Sequence, residues 1–118
     1  MLDKALTEEN LKKLLKRNGE ILELVRAKGF SEKDPLYTEH QFLAPNQLEA
    51  AKLSKELEAR GFRVDEIEPA EKEDGTDIWS VEVSIQISPE EAAAMTEGLV
   101  KLGAEYDSEY CGWAVDLR

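Results

Sequence analysis

His40 is the single histidine of the chain, and it follows Glu39 directly. A histidine beside a carboxylate could act as a general base. Neighbouring residues on a strand point to opposite faces, however, so the pair would be split. His40 therefore reads as a structural or surface histidine. Cys111, the single cysteine, could be a nucleophile only with a base at hand and a depressed pKa. Its neighbours Asp107, Glu109 and Asp116 would push the thiol the other way, so it reads as an inert thiol. No second histidine, CxxC, HExxH or EF-hand spacing points to a metal. No Gly-rich phosphate loop and no GxSxG is present. The reading is of a protein without enzymatic activity, metal or cofactor.

Charge points elsewhere. The chain has 118 residues and a net charge of −11. Residues 1–34 carry eight Lys/Arg against seven Asp/Glu, so all of the acidic excess lies in the remainder, with seven Lys/Arg against nineteen Asp/Glu. An acidic body repels phosphates, which argues against direct contact with nucleic acid. A protein partner with a basic segment fits better. The run DEIEPAEKEDGTD, residues 65–77, sets Asp65, Glu66, Glu68, Glu71, Glu73, Asp74 and Asp77 against Lys72 alone. It reads either as a solvated hairpin or as an electrostatic contact for an Arg-rich segment. No apolar run reaches the roughly 20 residues that cross a bilayer, and the N-terminus lacks the apolar core of a secretory signal. One cysteine favours a reducing compartment. The expectation is a cytoplasmic protein with no membrane contact, a monomer or a weak dimer.

These residues must be held by a fold. TEENLKKLLKRNGEILELVRAKG has helical periodicity, and Asn18-Gly19 should either bend the helix or let Asn18 cap a second one. Gly29 supplies the stop. Residues 36–44 read as a strand, and PNQLEAAKLSKELEARG as a helix with Pro45 in its first turn and Gly61 at its end. FRVDEIE is a second strand, followed by an Asp74-Gly75 turn. In DIWSVEVSIQI, Trp79, Val81, Val83, Ile85 and Ile87 alternate with Ser80, Glu82, Ser84 and Gln86, the pattern of a strand with one buried and one polar face. Ser88-Pro89-Glu90-Glu91 is a capping box opening a helix that should stop at Gly103. A last strand follows. The order predicts an α+β fold, a ferredoxin-like βαββαβ two-layer sandwich with an extra N-terminal helix. Residues 1–34 form that helical segment of the same domain, and residues 35–118 form the sandwich.

In the closing strand, strict alternation would put Tyr110, Gly112 and Ala114 on one face and Cys111, Trp113 and Val115 on the other. The second set would be buried. The first would leave Tyr110 over two small residues, where another chain could approach.

YDSEYCGWA is similar to a stretch near the end of the RraB family, regulators of ribonuclease E activity. Tyr106-Asp107, Glu109-Tyr110 and Gly112-Trp113 carry the likeness. Leu36-Tyr37-Thr38, Leu43, Leu48-Glu49 and Gly61-Phe62-Arg63-Val64 fall in the same order as in that family. Cys111 stands where the family has aspartate and Ala114 where it has glycine, and the long acidic tail of well-known members is absent. The resemblance implies a ferredoxin-like fold and a non-enzymatic inhibitor that binds ribonuclease E through its scaffold region. The residues expected to bind protein are Asp107, Glu109, Tyr110, Gly112 and Trp113, with Glu71, Glu73 and Asp74 of the acidic run. The alternatives are a small-molecule-binding regulatory module and an RraB-like domain with another protein partner.

Overall fold

A computed structural model describes residues 4–117 and the side chains of residues 7–117. The chain forms α1 (Lys4–Ala27), β1 (Leu36–Ala44), α2 (Gln47–Ala59), β2 (Arg63–Glu71), β3 (Asp77–Ile87), α3 (Pro89–Ala94), α4 (Thr96–Glu105) and β4 (Glu109–Val115). The four strands make one antiparallel sheet in the order β2-β3-β1-β4. This is an α+β, ferredoxin-like sandwich with an extra N-terminal helix. Phe42, Val81, Val83 and Tyr110 face the helices and form the core with Leu53 and Leu57 of α2, Leu99 and Val100 of α4, and Leu14 of α1.

Local chemistry explains most of the boundaries. Gly61 adopts φ +97 and closes α2 with two reversed hydrogen bonds, Gly61 N to Glu58 O and Phe62 N to Leu57 O, each 3.0 Å. Gly29 ends α1 in the same way. Such a pair satisfies the last carbonyls of a helix and needs a left-handed residue. Ser88 and Glu91 make the reciprocal capping box, with Pro89 at the first position. Asn46 caps α2 by accepting from Glu49 N at 2.9 Å, so Pro45 lies just before the helix instead of in its first turn.

Three expectations are corrected. First, α1 runs unbroken through Asn18-Gly19, so Asn18 does not cap a second helix. Asn18 is buried and turned inward. Its Oδ1 accepts from Trp113 Nε1 at 2.7 Å, and its Nδ2 donates to Thr96 Oγ1 at 3.0 Å. A buried amide that satisfies two other buried groups outweighs the modest helix propensity of asparagine. Second, the helix after Ser88 breaks at Met95, because Thr96 Oγ1 donates back to Ala92 O at 3.2 Å and Asn18 Nδ2 reaches Ala93 O at 3.4 Å. Back-bonding of this kind bends helices. Third, Gly103 does not end α4. A Cβ there would lie 2.9 Å from Ser108 O and 3.3 Å from the Phe42 ring, so glycine is needed for space. The chain turns at Asp107, whose φ is +53.

Candidate functional site

The covered face holds the chemistry that would attract a search for catalysis. His40 is 2% exposed. Thr38 Oγ1 donates its one proton to Ile85 O at 2.9 Å, so towards His40 Nε2, 2.9 Å away, it can only accept. The proton therefore sits on Nε2, and Nδ1 accepts from the Tyr110 hydroxyl at 2.8 Å. Every polar atom of the ring is satisfied by neutral partners. Burial pushes the His40 pKa down to about 4 and raises that of Tyr110. Glu39 lies on the other side of the strand, exposed. Such a ring is a closed structural network. Cys111 is half-buried, and burial followed by the Glu109 charge pushes its thiol up to about 12. No group of three metal-ligating side chains occurs among the described residues.

The end of the sheet departs from strict alternation. The β1–β4 register shifts between Gln41 and Phe42, so Tyr110 pairs with Phe42 and Gly112 with Gln41. This bulge at Cys111 brings Tyr110 and Trp113 to the same, covered face, 1% and 3% exposed. Tyr110 is thus a core residue, not a shallow approach point, and Cys111 lines the open face instead of being buried against helices. Gly112 is the bulge's pivot: φ is +104, and a Cβ would meet Leu14 Cδ2 at 3.0 Å. Of the residues expected to bind protein, Tyr110, Gly112 and Trp113 are buried, and Asp107 sits in the turn before β4.

The open face presents a different arrangement. Strand register lays its side chains out in rows. Arg63, Ser84, Glu39 and Ala114 form one, and Glu66, Glu82, Gln41 and Gly112 the next. Glu68, Ser80, Leu43 and Glu109 form a third. Neighbouring strands lie about 4.8 Å apart, so Glu66 stands directly against Glu82. The result is mutual repulsion. A hydrogen bond to Glu66, then its charge, holds the Glu68 carboxyl above the usual range; partial burial, then the charge of Glu66, does the same to Glu82. Towards the β2–β3 hairpin the face opens into a depression of about 740 Å³. Leu43, Ala70 and Ile78 contribute its apolar lining. Glu68, Glu71, Glu73, Asp74, Glu82 and Glu109 ring it, with Lys72 the one base. Four of the expected residues, Glu71, Glu73, Asp74 and Glu109, are therefore gathered around one concavity.

Both sheet edges are poor templates for an added strand. In β2 the register shifts between Val64 and Glu66, leaving Asp65 as a bulge. Lys72 N donates to Thr76 O at 2.9 Å. Counting back from that bonded pair, Pro69 falls where backbone groups point outward, and it has no N–H to offer. On the β4 edge one carbonyl is already taken, since Asn10 Nδ2 donates to Tyr110 O at 3.0 Å.

The model of the RraB family, regulator of ribonuclease activity B, matches residues 15–115. The chain belongs to the RraB family. No curated protein matches it. The matched span begins inside α1 and ends on Val115, so it includes the Asn18 hub, the acidic hairpin and the bulged last strand of this RraB chain. The family is one of regulators of ribonuclease activity. No helix among the described residues is long and apolar enough to cross a membrane.

Glu82 and Arg63 do not stand out from the sequence as part of a site, and Glu39 does so only as a carboxylate beside His40, not as a member of this face. Alternation along VEVSIQI did turn Glu82 outward, but its significance comes from Glu66 lying opposite. That depends on hairpin register and a bulge, neither of which has a clear local signal.

Proposed function

We propose that this RraB-family chain is a non-enzymatic inhibitor of a ribonuclease E-type enzyme, acting by protein–protein binding without touching RNA. The observation that carries the reading is the ring of six carboxylates against Lys72 around an apolar-floored concavity on the open sheet face. Such a surface repels phosphates and attracts a basic segment carrying an apolar anchor. The scaffold region of the ribonuclease, implied by the family resemblance, is the partner this surface suits. Cytoplasmic location accords with that partner. α1 belongs to the same domain in this reading, since Asn18 and Asn10 tie it to β4.

The experiment is binding of the purified chain to full-length ribonuclease E and to its scaffold region, across a salt series. Tight binding that weakens as salt rises, and is lost in the triple variant Glu71→Lys, Glu73→Lys, Asp74→Lys, is the expected result. Affinity unchanged by the triple reversal at low salt would remove the electrostatic basis of the proposal.

A further inference from the structure

Two cations border the acidic face: Arg17 lines a depression beside Gly112, and Arg63 reaches across the sheet. Arg63 stands on β2, yet its guanidinium carbon is 5.3 Å from the centroid of the Tyr37 ring on β1. β3 runs between those strands, so the Arg63 side chain straddles it. Arg63 Nε donates to Asp65 Oδ1 at 2.6 Å. In the same row as Arg63 is Ser84, paired with Arg63 on one side and Glu39 on the other. Ser84 is 1% exposed, and its Oγ is buried without a hydrogen-bond partner. Buried hydroxyls without partners are uncommon and costly. This one points to the same face as Glu82, two residues earlier on the strand.

These features together make a guanidinium seat: a carboxylate to accept its N–H groups, an aromatic ring to lie against it, and a spare hydroxyl below. Carboxylate forks and aromatic stacking favour arginine over lysine, whose ammonium is a compact, strongly hydrated point charge. Arg63 is attached by one ion pair and one ring contact, and its side chain is 66% exposed, so little holds it in place. Around it the face is otherwise rich in unneutralised acid: Glu39, Glu66 and Glu82 have no ion pair with a base, whereas Asp65 does.

We infer that Arg63 is an internal placeholder for an arginine of the docking partner, which displaces it and takes its seat among Asp65, Tyr37 and the Ser84 hydroxyl. The inference rests on the reading of the open face as the docking surface, and it narrows the partner segment from basic to arginine-bearing. Displacement frees Arg63 to swing to solvent and gives Ser84 a chance to accept the hydrogen bond it lacks.

The test uses the whole chain with two synthetic peptides of equal length, oligo-arginine and oligo-lysine, titrated calorimetrically at low ionic strength. The expected result is tighter binding of oligo-arginine by about ten-fold. Arg63→Gln should widen that ratio, because the internal competitor is gone. Removing a positive charge strengthens both peptides alike, so the ratio isolates the seat. Arg63 is exposed on an edge strand and the variant should fold; an unchanged amide spectrum away from the seat checks this. Equal affinities for the two peptides, or a ratio that Arg63→Gln leaves unmoved, would overturn the inference. Ribonuclease binding, measured separately with the triple reversal at the hairpin, decides the parent reading whichever way the ratio falls.

Discussion

Along β1, Thr38, His40 and Phe42 turn to the helices while Tyr37, Glu39 and Gln41 turn away, and the two sets handle polarity in opposite ways. On the covered side each buried side-chain polar atom among the described residues is matched. Tyr110 donates to His40, His40 to Thr38, and Thr38 to a backbone carbonyl. On the open side Glu66 stands against Glu82, and a Ser84 hydroxyl goes unpartnered. The first pattern maximises stability, because unpaired polar groups in a dry interior are costly. The second leaves repulsion that a cationic partner would relieve. Along β1 and β3 the two-residue period thus sets a satisfied face against a charged one.

The comparison breaks most readily on the covered side. Phe42 is fully buried and packs 4.9 Å from the Tyr110 ring, centroid to centroid. Phe42→Ala should cost about 3–5 kcal/mol in urea unfolding. A loss under about 1 kcal/mol would mean that the site collapses around the truncation, contrary to the close packing described.

The two faces should also respond to pH with opposite signs. His40 has its pKa lowered from 6.5 to about 4, so the unfolded chain binds the proton more readily. Stability from this group is complete above about pH 6.5 and is lost as pH falls towards 4, in total on the order of 3 kcal/mol. Glu68 and Glu82 have raised values, so the folded chain binds protons more readily and falling pH favours folding through them. A histidine ring that NMR shows protonating near pH 6.5 in the folded protein would undo the account of the covered face.

Asn18 joins α1 to the last strand. Asn18→Ala leaves Trp113 Nε1 and Thr96 Oγ1 each short of a partner, with an expected loss of about 1–3 kcal/mol. The same substitution tests whether α1 belongs to the folding unit. If α1 were an independent appendage, the midpoint of the sheet's unfolding would not move.

How legible these two faces were in the sequence depends on the distance over which each feature is determined. The strand from Asp77 to Ile87, the capping box at Ser88 and the Gly61 stop are local, and each appears where the sequence placed it, although Ser80 and Ser84 on the polar face are buried while Trp79, Ile85 and Ile87 are only partly covered. Asn18 was misread because its partners lie 78 and 95 residues away, and a buried amide looks like a helix break until they are known. The faces of β4 were misassigned because one bulge residue reverses the alternation beyond it, and Gly112 signals close approach without stating which neighbour approaches. The acidic run was visible as composition. Its opposition to Glu82 was not, since register belongs to the pair of strands.

The smallest expected effect is the most telling for the open face. Glu82→Gln removes the charge that faces Glu66 across the β2–β3 pair while keeping the shape of the side chain. Like charges opposed on a sheet are destabilising, so the unfolding midpoint at neutral pH should rise, by less than any loss above. The rise should shrink as pH falls, because the wild-type Glu82 carboxyl protonates before an ordinary glutamate and removes the same repulsion by itself. Affinity for the basic partner should fall in the same variant. Stability gained and binding lost at one residue is the pattern of a position kept strained for recognition. A variant that lost stability as well would show that Glu82 supports the fold through some contact of its own, and the division between the two faces would be less complete than drawn.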